Sequence, residues 1–326
     1  MPPVPVRVVH GVVGGRVGVG LALVVLSAVT FGLSGPFAKA LTDSGWSANG
    51  AVLVRMGGAA AILLVILALT RPGVLAAIRA DAPALVLYGA LAVAGVQVAF
   101  FNALLYVPVA IALLLEFLGP ILVLAWVWLV RRQPLGPRTI FGAVVALFGL
   151  SLVVQVWTGV ELRWEGIAWG LAAAVCQASY FLVADRAGSS TPPLVLAGVG
   201  MTLGTVVVAL LGVAGVLPIV IDTAATGVFL AGVDVGWPLA ATLLVVVSSV
   251  IAYLAGVAAI RRIGAPRGSL VALLEVVASA VASWLLLDQV PTPVQAVGGA
   301  LILGGVALTI TSRRPAAVEP EALPAA

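Results

Sequence analysis

The sequence has very few of the residues that most enzymes and soluble proteins depend on. It contains one cysteine, Cys176, and one histidine, His10, and only 9% of its 326 residues are charged. A single cysteine excludes an internal disulfide, and a single histidine excludes zinc sites that need a histidine pair. Soluble domains are about one quarter charged, so a large soluble domain is excluded as well.

The chain is rich in apolar sequence instead, with 63% hydrophobic residues and a mean hydropathy of +1.25. A membrane helix needs about 20 apolar residues, and ten runs of roughly that length occur between prolines, glycines and charges. They extend over about 20–40, 48–69, 84–106, 109–130, 139–156, 166–183, 194–215, 237–260, 268–287 and 293–310. Backbone in lipid must satisfy its own hydrogen bonds, so the sequence predicts an all-α integral membrane protein with ten transmembrane helices.

Two segments leave alternatives open. The first run follows Arg7 and Arg16, as a cleaved signal peptide does, but the nine runs after it favour an uncleaved first helix. Residues 216–236 are mildly apolar and contain Pro218, Asp222 and Asp234, which predicts a long external loop or a re-entrant segment.

The arginines predict the orientation. Ten helices place both termini on one side, and if that side is the cytoplasm, the inner segments hold thirteen of the sixteen basic residues while the outer loops hold only Arg163. The inner set is Arg7, Arg16, Arg71, Arg79, Arg131, Arg132, Arg138, Arg186, Arg261, Arg262, Arg267, Arg313 and Arg314. The positive-inside rule therefore predicts a multi-pass protein of the cytoplasmic membrane with both termini cytoplasmic.

The two halves of the chain are similar. LLEFLGP at 114–120 parallels LLEVVAS at 273–279, and FGAVVALFGL at 141–150 parallels VGGALILGGV at 297–306. Each half has five predicted helices, an odd number, so the second half runs through the membrane in the opposite sense, as in many secondary transporters. The predicted organisation is an N-terminal tail at 1–19, a first repeat at 20–156, an external linker at 157–165, a second repeat at 166–312 and a C-terminal tail at 313–326.

These segments resemble the EamA-type family of the drug/metabolite transporter superfamily. The strongest similarity is APRGSLVALLEVVASAVASWLLLDQVPTPVQAVGGALILGGVAL in the second half, and VPVAIALLLEFLGP at 107–120 and YFLVADRAG at 180–188 are more similar to the branch that exports threonine and homoserine. The resemblance implies a ten-helix carrier with both ends inside that moves small metabolites outward. Proline usually follows the glutamate of helix nine, but Val276 stands there, so helix nine is expected to lack a proline bend.

Ionisable residues inside a membrane are functional candidates because burying them is costly. Arg55 and Glu116 each lie seven residues into their helix from the outer end, roughly 10 Å deep at 1.5 Å per residue, and are expected to pair or to share one polar cluster. That cluster either locks two helices or opens to hold a substrate. Glu275 is the inverted image of Glu116 and is expected on the other side of the midplane. It is a candidate for proton coupling, or else a group bonded to backbone.

Other polar residues are weaker candidates for a substrate site. Lys39 either reaches the membrane interface or faces the cavity. Gln97, Asn102, Gln177 and Tyr180 either line a wet cavity or form hydrogen bonds between helices. If Lys39 or Arg55 binds a carboxylate and Glu116 an ammonium group, the site suits a zwitterion.

The sequence predicts a secondary transporter that exports a small polar metabolite, such as the amino acids threonine or homoserine, by alternating access. The alternatives are efflux of amphipathic or cationic compounds and a membrane assembly protein without transport activity. No P-loop, nucleophilic serine motif or paired catalytic aspartates occurs, so an ATP-driven pump and an enzyme are not expected. The predicted partners are a small-molecule substrate and the lipid bilayer, with proton coupling open, and no cofactor, metal or nucleic acid is expected.

Overall fold

The computed structural model describes residues 9–71, 74–155, 163–186 and 191–311. The predicted tail at 313–326, most of the predicted linker at 157–165 and residues 1–8 of the predicted N-terminal tail lie outside these ranges. Within them the chain is mostly helical, and nine helices are long and apolar enough to cross a membrane. The fifth predicted span forms a shorter apolar helix, Pro137–Val153.

The helices of the first half follow one another with short connections. They are α1 (Val9–Gly32), α2 (Ser34–Asp43), α3 (Ala48–Thr70), α4 (Val74–Ala80), α5 (Ala82–Leu87), the π-helix π1 (Tyr88–Gly95), α6 (Val96–Ala103), α7 (Val109–Glu116), α8 (Gly119–Leu129) and α9 (Pro137–Val153).

The second half contains the remaining helices and one small hairpin. Its elements are α10 (Trp164–Arg186), α11 (Pro193–Val213), the strands β1 (Phe229–Leu230) and β2 (Val233–Asp234), α12 (Gly236–Val245), the π-helix π2 (Val246–Ile251), α13 (Ala252–Ile263), α14 (Ala265–Ala272), α15 (Leu274–Leu287) and α16 (Pro293–Thr311).

Several helix ends follow from local sequence signals. Ser47 caps α3, because its hydroxyl oxygen accepts a hydrogen bond of 3.0 Å from the Gly50 amide. Before α16, Thr292 and Gln295 form a capping box. The Gln295 amide donates to the Thr292 hydroxyl at 3.3 Å, and the Gln295 side chain accepts from the Thr292 amide at 2.9 Å.

Five of the predicted spans are not regular helices. The first span is interrupted at Leu33, the fourth at 117–118 and the ninth at Leu273, while the third and eighth contain π1 and π2. The ninth is interrupted at Leu273, two residues before Glu275. Helix nine is therefore not continuous, even though no proline follows that glutamate. Interrupted helices and π-helical turns in membrane transporters and enzymes concentrate at functional sites.

Helices α9 and α16 pack closely through two pairs of glycines. A Cβ atom added to Gly142 would lie 2.5 Å from the carbonyl oxygen of Gly305, and one added to Gly305 would lie 2.5 Å from that of Gly142. Gly149 and Gly298 meet in the same way. Residue numbers fall along one helix as they rise along the other, so the two helices are antiparallel. Only glycine allows the backbones to approach this closely.

The segment between α11 and α12 is a loop that packs on helix ends. The Ala231 amide donates to the Leu286 carbonyl at 2.7 Å, and the indole of Trp46 donates to the Asp222 carbonyl at 2.7 Å. Asn49 donates to the Pro218 carbonyl at 3.2 Å. These contacts join the loop to the ends of α15 and α2 and to the start of α3. The structure therefore shows 216–236 as a loop that contains the β1–β2 hairpin, and its placement outside the membrane stays a prediction.

Candidate functional site

A central cavity of about 150 Å³ lies between the two halves of the chain. Helices α1, α3, α6, α7, α10, α13 and α15 each contribute to its wall, and so does π1. Its ionisable and amide-bearing side chains are those of Arg55, Gln97, Glu116, Gln177, Tyr180, Tyr253 and Glu275. The cavity therefore gathers polar groups from segments that are far apart in the sequence.

Three charged side chains line this cavity, and helix interruptions bring two of them there. Glu116 is the last residue of α7, directly before the interruption at 117–118, and Glu275 lies in the first turn of α15, directly after the one at Leu273. Arg55 reaches the same cavity from the uninterrupted α3. The two carboxylates act on each other electrostatically, and the Arg55 guanidinium acts on both.

Several buried polar atoms of the cavity lack a hydrogen-bond partner among the described residues. These atoms are Arg55 Nε, Gln177 Oε1 and the Tyr180 hydroxyl oxygen. The other end of the Gln177 amide donates to Glu116 Oε1 at 3.4 Å. Buried polar groups are almost always hydrogen-bonded, so these atoms point to a solute or to water as the missing partner.

The sequence left two arrangements of Arg55 and Glu116 open, a direct pair and a shared polar cluster. Among the described residues neither Arg55 nor Glu116 takes part in an ion pair within 4.0 Å, so the direct pair does not form, while the shared polar cluster does. Glu116 and Glu275 both line this one cavity, and their placement on opposite sides of the membrane midplane stays a prediction. Each carboxylate lies beside a helix interruption, where the backbone is not continuous.

Six of the eight predicted site residues meet in this cavity, and two lie elsewhere. Lys39 forms an exposed ion pair of 2.8 Å with Asp43 on α2, in a separate surface pocket with Phe229 and Asp288. The Asn102 amide donates to the Val98 carbonyl of its own helix at 2.8 Å and does not line the cavity. Both side chains satisfy their polar groups locally.

Apart from Tyr180, the sequence did not identify the aromatic wall of the cavity. The rings of Phe31 and Tyr253 meet edge to face with centroids 4.9 Å apart, Tyr253 and Tyr180 lie 5.8 Å apart, and Tyr180 and Phe181 lie 5.0 Å apart. Ser27, also in the wall, donates to the Ala252 carbonyl at 2.8 Å. A hydroxyl group inside an apolar span was the available signal for Tyr253 and Ser27, whereas nothing in the sequence marks Phe31.

Within the described ranges no three residues among histidine, cysteine, aspartate and glutamate come together as metal ligands. Cys176 is a buried free thiol outside the cavity wall. The cavity offers one guanidinium, two carboxyl groups, amides, hydroxyls and aromatic rings.

Known proteins resemble this chain over most of its length. The inner membrane transporter YicL of Salmonella typhimurium LT2, described as uncharacterized, is 27% identical over 303 residues, which cover 91% of this chain and 97% of YicL. The threonine/homoserine exporter RhtA of Escherichia coli K12 is 27% identical over 262 residues, covering 78% of this chain and 81% of RhtA.

One solved crystal structure shares the fold. It superposes with a TM-score of 0.70 at 20% identity and covers 90% of this chain and 97% of the other. The sequence model of the EamA-like transporter family matches residues 18–155 and again residues 164–311. The two matches account for both halves of the chain, as the internal similarity predicted. This membrane protein, built from two repeated domains, therefore belongs to the EamA-like transporter family.

Proposed function

We propose that this transporter is a secondary carrier that exports a small zwitterionic metabolite, an amino acid of the size of threonine or homoserine, by alternating access. The observation that carries the proposal is the composition of the central cavity, where Arg55 and the carboxyl groups of Glu116 and Glu275 share one small space. Arg55 has the chemistry to hold a carboxylate, and either glutamate has the chemistry to hold an ammonium group. The RhtA exporters provide a precedent for this class of cargo.

The size of the cavity supports a small substrate. Pockets for drug-sized ligands have volumes of about 300–1,000 Å³, whereas this one measures about 150 Å³. The partnerless atoms Arg55 Nε, Gln177 Oε1 and Tyr180 Oη supply hydrogen-bonding groups around that space. A small polar molecule satisfies them, and a large apolar one does not.

We further propose ten transmembrane helices in two inverted repeats, with α9 as the short fifth span and both termini in the cytoplasm. The glycine contacts between α9 and α16 support the inversion. In the repeat, Gly142 corresponds to Gly298 and Gly149 corresponds to Gly305. In the structure, Gly142 contacts Gly305 and Gly149 contacts Gly298. This exchange of equivalent positions is expected of a two-fold relationship. The arginine distribution supports the orientation.

Proton coupling follows as part of the same proposal. One guanidinium cannot neutralise two carboxylates, so the cavity carries an excess negative charge when both glutamates are ionised. A proton on one glutamate removes that excess charge, whereas the ammonium group of a zwitterion needs the same glutamate ionised. The proton and the ammonium group therefore compete for one carboxyl group, and this competition couples inward proton movement to outward substrate movement. Glu275 is the proposed proton carrier because Gln177 already donates to Glu116.

The alternative substrate is an amphipathic cation. Two carboxyl groups and the rings of Phe31, Tyr180, Phe181 and Tyr253 favour such a ligand. Arg55 opposes it, because a permanent positive charge lies in the same cavity. A membrane assembly role without transport activity predicts no flux of either class.

Reconstitution separates these functions. Proteoliposomes are loaded with labelled threonine, homoserine or a quaternary ammonium dye, and efflux is followed with and without an inward proton gradient. The proposal expects gradient-stimulated efflux of an amino acid and none of the dye. Dye efflux without amino-acid efflux selects the alternative, and no flux of any solute by correctly inserted protein contradicts both.

A further inference from the structure

A second cavity of about 410 Å³ lies beside the central one. Helices α1, α2, α7, α9, α15 and α16 surround it, and it extends to the connection that contains Gln289 and Pro291. In the proposed orientation this connection is on the outer side of the membrane. We call the second cavity the outer cavity. Phe31 and Glu275 line both cavities, so the two spaces adjoin at these residues.

One wall of the outer cavity is polar along its length. Glu275, Ser279 and Ser283 follow at intervals of four on α15, which places them on one face of the helix. The opposite wall is apolar and includes Leu113 and Leu150. Glu275 is the only charged side chain among the described residues that line this space. A small molecule in this space can place its polar end next to the α15 face and its apolar side next to the apolar wall.

The serine hydroxyls in this wall are not satisfied within the protein. Several hydroxyl groups elsewhere in the spans donate to a carbonyl of their own helix, as those of Thr202 and Thr242 do at 2.8 and 2.7 Å. Ser279 and Ser283 have no such bond, nor a side-chain bond to any other residue in the part of the chain that the structure describes. Both side chains are half-buried and line the outer cavity, so water or a solute in that space is the partner open to these two hydroxyls.

The partition between the two cavities lies at an interruption in a helix. Phe31 stands two residues before Leu33, where α1 ends and α2 begins. Next to it, a Cβ atom on Gly32 would lie 2.8 Å from the Glu275 carbonyl oxygen and from the Ser279 amide nitrogen. Helix one therefore rests directly on the polar face of α15, and the side chains of Phe31 and Glu275 separate the two spaces.

The opposite end of the bundle is tied together by polar contacts. Arg131 pairs with Asp185 at 2.5 Å and links α8 to α10, and both side chains are mostly buried. Arg261 donates to the carbonyl of Thr191, whose hydroxyl donates to Asp81, which links α13 to the starts of α11 and α5. The central cavity thus has an adjoining polar space toward the outer end and fixed contacts toward the cytoplasmic end.

We propose that the outer cavity is the water-filled exit passage of the carrier, that Ser279 and Ser283 line its hydrophilic wall, and that Phe31 is the movable partition between it and the substrate site. The passage takes small molecules that carry an ammonium group, which Glu275 contacts from either space. This inference rests on the proposed function, but its test does not depend on transport.

The test uses single cysteines in a Cys176→Ala background, which removes the one natural cysteine. Ser279→Cys and Ser283→Cys report on the passage. Leu285→Cys is the matched control on the same helix, because the Leu285 side chain is 63% exposed on the surface of the helix bundle and does not line the outer cavity. A membrane-impermeant cationic thiosulfonate is added to vesicles of known orientation. We expect Ser283→Cys to react at least 10-fold faster than Leu285→Cys, from the outer side, and Ser279→Cys to react more slowly than Ser283→Cys.

Gln289→Cys in the connecting loop serves as a positive control for access of the reagent. If it is labelled while both serine positions are as unreactive as Leu285→Cys, the outer cavity is not aqueous and the passage is refuted. If labelling is faster from the cytoplasmic side, its assignment as an exit is refuted.

The partition is tested separately with a cysteine at Gln97, which lines the central cavity only. Phe31→Ala is expected to speed the labelling of Gln97→Cys at least 10-fold, and Phe31→Trp to slow it. Unchanged labelling in both variants refutes the role of Phe31. Fast labelling of Ser283→Cys without flux of any amino acid supports the passage and refutes the proposed amino-acid substrate. Amino-acid flux without that labelling supports the proposed substrate and refutes the passage.

Discussion

The side-chain amide of Gln177 on α10 donates to Glu116 Oε1 on α7 across 3.4 Å, in the wall of the central cavity. The bond joins a residue of the first repeat to one of the second. It also leaves the carbonyl oxygen of the same amide, Gln177 Oε1, buried without a partner in the described part of the chain. The amide is therefore placed to connect a bound donor group to the Glu116 carboxyl.

We predict that Glu116→Gln weakens binding of an amino-acid substrate by about 10- to 100-fold. A hydrogen bond to a charged group contributes about 1.5–3 kcal/mol, and 1.4 kcal/mol corresponds to a factor of ten. Scintillation proximity binding to purified protein measures the change. Glu165→Gln is the control, because Glu165 pairs with Arg163 outside the cavity. Equal affinities of the two variants would exclude Glu116 from the site.

We predict that Arg55→Gln lowers affinity for the zwitterion by a similar factor but spares binding of the corresponding amine, which lacks the carboxylate. Arg55→Lys keeps the charge but loses the planar, two-pronged donor geometry, so an intermediate affinity is expected. Competition of amino acid and amine against one labelled ligand gives both values. A loss of the same size for the two ligands would assign Arg55 a structural role.

Exchanging the charges of Arg55 and Glu116 provides a further check. The double variant Arg55→Glu with Glu116→Arg is not expected to restore binding, because the two side chains do not form a direct ion pair. Restoration to near wild-type affinity would mean that they do pair during the transport cycle.

We predict that Glu275→Gln removes the dependence of export on the proton gradient while leaving substrate exchange in place. The glutamine amide has the size of the glutamate carboxyl group but cannot take up and release a proton as the carboxyl group does. In the wild-type protein, acidifying the outer side should raise the efflux rate from proteoliposomes, and in the variant the rate should stay constant. Glu165→Gln is again the control. A gradient response that survives in Glu275→Gln would assign proton coupling to another group.

We predict that Gly142→Ala destabilises the folded protein by about 1–3 kcal/mol, the usual cost of forcing extra volume into a packed interface. The added methyl group would lie 2.5 Å from the Gly305 carbonyl oxygen, so α9 and α16 must separate. Gly304→Ala on the neighbouring position of α16 is the control, since a Cβ atom there meets nothing within 4 Å. Thermal unfolding in detergent should show a lower midpoint for Gly142→Ala alone. Equal midpoints would contradict the close glycine contact.

We predict that Asp185→Asn shifts the carrier away from the conformation seen here. The pair of Arg131 with Asp185 is mostly buried, and removing one partner of a buried pair is strongly destabilising to the arrangement that contains it. Labelling of Ser283→Cys from the outer side should therefore become slower by at least several-fold. Arg131→Gln should act in the same direction. If neither variant changes the labelling rate, this contact does not hold the cytoplasmic end closed.

The sequence by itself determined the class of the molecule, its family and the approximate position of its spans. Nine of the ten predicted spans occur as long apolar helices, and the fifth occurs as the shorter helix α9. The spans could be predicted because hydropathy over about 20 residues is a local property of the chain. The EamA-type resemblance is confirmed by the family match over both halves. The glycines that allow α9 and α16 to touch were also visible, but not that they face one another.

Only the tertiary structure decided which polar residues meet. Arg55, Glu116 and Glu275 line one cavity because two helices are interrupted beside the glutamates. Pro120 follows the first interruption, whereas no proline marks the one at Leu273. Lys39 was an equally reasonable candidate until it was found paired with Asp43. A side chain's direction around its helix, and the partner it meets, depend on packing between segments distant in sequence, so local patterns cannot specify them.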